Sequence, residues 1–128
     1  MNKQIHIVSF DVPFPADYGG VIDVFYKIKA LHSIGVAVHL HCFEYGRGIQ
    51  PELEKYCASV HYYQRQEGHK GFSLQLPYIV ASRNDEQLWE RLNGDEHPVL
   101  FEGVHTTYGL TTSAVQKKNV AIRLHNTE

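Results

Sequence analysis

Residues 5–33 read IHIVSF, then DVPFPADYGG, then VIDVFYKIKALHS, and the change of period across them decides the fold. The first six are rich in β-branched and aromatic side chains and predict a short buried strand over 5–10. The next ten carry Pro13, Pro15, Gly19 and Gly20. Proline has no N–H for a strand ladder and glycine tolerates backbone angles that other residues avoid, so 11–20 is a loop. From there Val21, Val24, Phe25, Ile28 and Leu31 fall on one face of a helix. Asp23 sits in its first turn, and Lys27, Lys29 and His32 come later, as the helix dipole favours. Gly35 is the expected C-cap.

The same alternation continues outward. Strands are expected over 36–43, 60–63, 98–101 and 120–124, and helices over 51–58 and 110–118. Pro51 opens the first of these two. Residues 64–72 form a polar, glycine-bearing loop. Residues 74–92 are helical material broken near Pro77 and again around 83–85, with Leu88 and Leu92 on one stripe and Trp89 beside it. No repeat or low-complexity segment interrupts the pattern. Strands separated by helical patterns predict right-handed crossovers and a mostly parallel sheet of order 3-2-1-4-5, a three-layer Rossmann-like α/β domain covering residues 1–128. Such sheets bind ligands beyond the carboxyl ends of their strands, which directs attention to residues 11–20, 44–48, 102–108 and 125–128.

Composition limits the function classes. The 128 residues are 43% hydrophobic and 20% charged, with a net charge of −2. That suits one domain with a real core. No block of like charge is present, so no nucleic acid or anionic membrane surface is indicated as a partner; the nearest approach to a basic cluster is Arg65, His69 and Lys70, with Glu67 among them. Cys42 and Cys57 are the two cysteines, and a domain of this size does not need a bridge between them, so they are read as free thiols in a reducing cytoplasm. The N-terminus has no signal-peptide apolar segment, and no apolar run reaches the roughly 18 residues of a membrane span. The chain stops at Glu128, directly after the fifth expected strand. It therefore reads as part of a longer enzyme, whose fragment exposes apolar surface at that end and self-associates.

Gly19-Gly20 is the strongest local signal. A helix N-terminus presents unpaired N–H groups and a partial positive charge, and glycine lets backbone approach a phosphate; a turn needing positive φ is the equal alternative. A Walker loop needs Gly-Lys-Ser/Thr, and here Val21-Ile22 follow. A dinucleotide fingerprint needs G-x-G-x-x-G close to the strand. Glu44 is placed where a ribose-binding acid would sit, which is the best support for a dinucleotide site, and an exposed loop carboxylate explains it as well. His39 and His41 share one face of a strand, with Cys42 on the other. No H-E-x-x-H or cysteine–histidine spacing marks a metal site, so no metal is expected. His105 and His125 each follow an expected strand and stand near the crevice, where a histidine can donate to substrate oxygens or act as a base.

Three stretches together, DVPFPADYGGVIDV at 11–24, FEGVHT at 101–106 and RLHNTE at 123–128, resemble the loop ends of the N-terminal domain of GT-B glycosyltransferases of the family 4 type. The resemblance runs the length of the chain. It implies a retaining hexosyltransferase built of two facing Rossmann-like domains, of which this is the acceptor-side half and the C-terminal donor domain is absent. It implies a nucleotide-sugar donor shared with that missing domain, a glycan or lipid-linked acceptor, a role in bacterial polysaccharide biosynthesis, and no metal or other cofactor. Gly19 and Gly20 would contact the donor diphosphate. His125 would stand by the transferred sugar and the acceptor hydroxyl as the catalytic residue, and Tyr18, Glu102 and His105 would line the acceptor side. The basic pair and acidic motif that hold phosphates and donor sugar in the family lie beyond this chain. The implied location is cytoplasmic, with peripheral association at the inner membrane face left open for the intact enzyme. The competing readings are a nucleotide-binding domain of an oxidoreductase or epimerase and a non-catalytic flavodoxin-like module.

Overall fold

Five short segments can pair only if their alternating faces are both covered, and the sequence supplies apolar side chains for both. In the structure, a computed structural model that describes residues 3–64, 85–103, 106 and 119–123, the strands are β1 (Gln4–Ser9), β2 (Ala37–Glu44), β3 (Ser59–Gln64), β4 (Val99–Glu102) and β5 (Val120–Arg123). They form one sheet of order β3-β2-β1-β4-β5. Every neighbouring pair is parallel, with His6 beside His39 and Val99, and Ser9 beside Cys42 and Glu102. The expected order is borne out, and the sheet is wholly parallel.

Helix α1 (Gly19–Ser33) covers one face through Val21, Val24, Phe25 and Ile28, which pack with Ile7, Val38, Leu40 and Cys42. Helix α2 (Glu86–Asn93) covers the other through Leu88, Trp89 and Leu92, against Val8, Phe43, Val99 and Phe101. Period-two alternation thus sends Ile7 and Val8 into different layers. Each fully buried aliphatic side chain contributes roughly 1.5–3 kcal/mol of transfer free energy.

The ends of the helices follow local chemistry. Asp85 caps α2, its carboxylate accepting from the N–H groups of Gln87 and Leu88. Helix α1 ends at Ile34, after which Gly35 takes φ +84°. The Gly35 N–H donates to the His32 carbonyl and the Val36 N–H to that of Leu31, both at 3.0 Å, the paired bonds of a Schellman ending.

Two expectations are corrected. The helix expected over 51–58 is a short 3₁₀ helix, Pro51–Lys55, in which Leu53 alone is buried; one apolar side chain does not supply the stripe that a full helix needs. Helix α1 begins at Gly19 rather than Val21, so its first turn holds no acid and Asp23 lies one turn in. The expected helix over 110–118 and the basic cluster at 65–70 lie outside the described residues.

Candidate functional site

Strand order reverses between β1 and β4, so the crevice beyond their carboxyl ends is where a ligand is expected. There the chain turns through Phe10 and Asp11. Asp11 is 5% exposed, and both its carboxylate oxygens are engaged. Oδ1 accepts from the Val12 N–H at 2.8 Å and Oδ2 from the Tyr18 hydroxyl at 2.5 Å. The Ser9 hydroxyl donates to the Asp11 carbonyl at 2.6 Å. Burial, then the hydrogen bond to Asp11, pushes the Tyr18 hydroxyl far above its ordinary range, so it stays a neutral donor.

Tyr18 is the N-cap of α1, and its side chain makes no capping bond. The first N–H groups of the helix therefore have neither an intrahelical acceptor nor a cap from Tyr18. The glycine pair opens this turn, and its members have separate causes. A Cβ on Gly20 would lie 2.4 Å from Cζ of Phe10, whereas one on Gly19 would have nothing within 4 Å among the described residues. Neither is among the positive-φ glycines, which among the described residues are Gly35, Gly46, Gly48 and Gly103. The pair is not a positive-φ turn. Gly20 admits the Phe10 ring, and Gly19 leaves open backbone at the helix end.

Glu102, at the end of β4, has no exposed surface. Its carboxylate is bound by the Lys27 ammonium, which also lies 3.6 Å from Asp23; Arg123 reaches Asp23 at 3.3 Å. These four charges tie α1 to β4 and β5. Behind Glu102, Gly103 turns at φ +92°, and the buried Thr106 returns its N–H and hydroxyl to the Gly103 carbonyl. His105 and His125 lie outside the described residues.

Glu44 is committed to its own turn. Its carboxylate accepts from the N–H groups of Gly46 at 2.7 Å and Gly48 at 3.0 Å, and from Gln64 at 3.4 Å. Those bonds, Gly48 first, hold its pKa below the usual carboxylate range. The turn projects Arg47 onto the loop before α1. Sequence reasoning missed Arg47, Lys27 and the anchoring role of Asp11. Only Asp11 had a readable signal, its place directly after the first strand.

Five of the described histidines, His6, His39, His41, His61 and His97, gather elsewhere, on the α2 face of the sheet towards the amino ends of the strands. His39 and His41 do share a face, and His6 joins them from β1. The His6 ring is 2.9 Å from Asp95 through Nε2 and 2.8 Å from His41 through Nδ1. His41 Nδ1 is 2.8 Å from the Tyr63 hydroxyl, to which Arg91 donates at 2.9 Å. A guanidinium only donates and a carboxylate only accepts. One set of tautomers satisfies every partner: Arg91 donates to Tyr63, Tyr63 to His41, His41 to His6 and His6 to Asp95. Burial, then His6 and His61, pushes His41 down to about 2. Among the described residues no group of three or more histidine, cysteine or acidic side chains is arranged to hold a metal ion. Cys42 and Cys57 are free; burial raises both thiols, Cys57 to about 12, which removes them as nucleophiles near neutral pH.

No family model matches the chain. It is 32% identical over 133 residues to an "uncharacterized 44.6 kDa protein in cps region" of Klebsiella pneumoniae, an alignment covering 98% of this chain and 34% of that protein. The chain thus spans about a third of the length of the curated relative it matches. Among solved structures it is similar to the C-terminal domain of a hydrogenase from Pyrococcus furiosus, with a TM-score of 0.48 and 18% identity over 94% of this chain and 91% of that one. Among the described residues no helix is long and apolar enough to cross a membrane.

Proposed function

We propose that this chain is the acceptor-side domain of a retaining glycosyltransferase that moves a sugar from a nucleotide-sugar donor to a glycan or lipid-linked acceptor. The observation that carries the reading is the first turn of α1. It stands at the sheet's switch point, uncapped by its N-cap side chain, with no atom of the described residues within 4 Å of the position a Gly19 Cβ would take. Oriented N–H groups at a helix end stabilise a diphosphate and the charge that develops on it as the glycosidic bond breaks. The relative's name supports the setting: a cps region, read as capsular polysaccharide, is a place for sugar transfer.

In this reading Gly19 and Gly20 supply backbone to the donor diphosphate, and a second domain supplies the opposing cations. Tyr18, Glu102 and His105 belong to the acceptor side, with Glu102 acting through Lys27 to hold the end of β4 against α1. His125 faces the transferred sugar and the acceptor hydroxyl. The protein works in the cytoplasm on this reading.

Saturation-transfer NMR of the full-length protein with UDP- and GDP-sugars and NAD tests the proposal, followed by turnover of His125→Ala. The expected result is saturation of one sugar nucleotide, with turnover in His125→Ala reduced roughly a hundredfold, within the usual range for acid–base or orienting groups. Saturation of NAD alone points to the oxidoreductase or epimerase class and ends the reading.

A further inference from the structure

The loop that carries the chain into α1 is held from outside by Arg47, a residue on another strand's turn. Glu44 folds that turn back on itself through Gly46 and Gly48, whose φ values are +152° and +75°. The turn can therefore hold a long side chain in one direction. Arg47 spends all three kinds of guanidinium nitrogen on the loop. Nη2 donates to the Pro15 carbonyl, Nη1 to the Asp17 carboxylate at 3.0 Å, and Nε to the Phe14 carbonyl at 3.4 Å. Its guanidinium lies 5.5 Å from the centre of the Tyr18 ring, within cation–π range. The ring it covers is the one whose hydroxyl reaches Asp11. Arg47 therefore fixes residues 14–18 from one side while Asp11 fixes Tyr18 from the other, and Gly19 follows directly.

We infer that Arg47 is a positioning residue that locks the loop before α1, so that the first turn of the helix is already in its donor-binding geometry before the donor arrives. The donor half of this inference rests on the glycosyltransferase reading; the locking half does not. The fork is what the geometry uses. A lysine ammonium offers a point charge to Asp17 and cannot also donate to two carbonyls from one plane while covering the Tyr18 ring. A pre-organised loop lowers the apparent dissociation constant in proportion to the fraction of molecules already competent, and does not alter the chemical step once the donor is bound.

Two measurements on the same variants test this. Amide hydrogen exchange is followed in wild type, Arg47→Ala and Arg47→Lys, and donor KM and kcat are measured in the full-length protein. In Arg47→Ala, exchange at the hydrogen-bonded amides of Asp17 and Ile22 should rise about tenfold while amides of β1 and β2 keep their protection. Donor KM should rise by a similar factor with kcat nearly unchanged, and Arg47→Lys should fall between the two. If Arg47→Ala does not fold, Arg47→Lys carries both measurements, because it keeps a cation beside Asp17. Unchanged exchange at Asp17 and Ile22 overturns the lock. Raised exchange with unchanged KM, or a loss confined to kcat, overturns its role in donor binding. If wild type turns over no sugar nucleotide, the donor half falls with the proposed function, and the exchange result still decides the lock.

Discussion

A methyl group added to Gly20 would sit 2.4 Å from the Phe10 ring, which is itself packed into the core between β1 and α1. Gly20→Ala should therefore destabilise the fold by about 1–3 kcal/mol, the usual cost of overpacking. Gly19→Ala should leave the melting temperature almost unchanged and weaken donor binding in the intact protein. Thermal melts of the two variants separate these roles, and equal losses at both positions would show that the pair is only packing. Sequence reading picked out the pair but not this division, because the ring that decides it comes from a residue before the loop. A second residue-scale outcome concerns His41. Burial lowers its folded pKa, so the folded state refuses a proton that the unfolded chain accepts. Its contribution is complete above about pH 6.5 and is lost as pH falls, by about 2 kcal/mol at pH 5. His39 and His61 are also lowered, each first by burial, and act with the same sign. Urea midpoints at pH 7.5 and 5.0 should show the fall, and His41→Gln should flatten it; a wild-type midpoint that does not move contradicts the neutral network.

Helix α2 has eight residues, too few to be stable by itself, so its cap matters. Asp85→Ala removes the acceptor for two N–H groups and should cost about 1 kcal/mol. Asp85→Asn or →Ser should recover most of it, and a loss of similar size in all three variants would point to something other than capping. Elements with a strong local signal were legible in the sequence. Helix α1 has a continuous apolar stripe and a glycine ending, and the strands are β-branched runs bounded by breakers. The 3₁₀ helix was misread because Pro51 and its acids imitate a helix start without the apolar face to continue it. The site was legible only where it is local. The Gly19-Gly20 turn could be seen, whereas Glu44 was open between a ribose-binding acid and a loop carboxylate, and it closes its own turn. Arg47 was invisible, since nothing near it in sequence points to residues 14–18.

As a whole, residues 1–128 present one wall of the proposed cleft. The chain by itself is expected to fold, since its two faces are packed by separate helices, yet to transfer no sugar. On the proposed reading the opposing cations belong to a second domain, so the contact of residues 1–128 with a diphosphate stays open to water, and affinity should be no better than about millimolar. Titration calorimetry with UDP- and GDP-sugars checks this, and micromolar binding would put the whole donor site in this domain. The sheet order also has a consequence for how the molecule comes into being. Strand β1 meets β2 through one short crossover, but meets β4 only after most of the chain has been laid down. Closing that longer loop carries the larger entropy cost and comes later. Val99→Ala, in β4, should therefore speed unfolding and hardly change the refolding rate, while Leu40→Ala, in β2, should slow refolding. A slowed refolding of Val99→Ala would reverse that order. The crevice between β1 and β4 is then the last part of the domain to close, so a chain still being made carries a formed β1–β2 pair before it has anything able to hold a ligand.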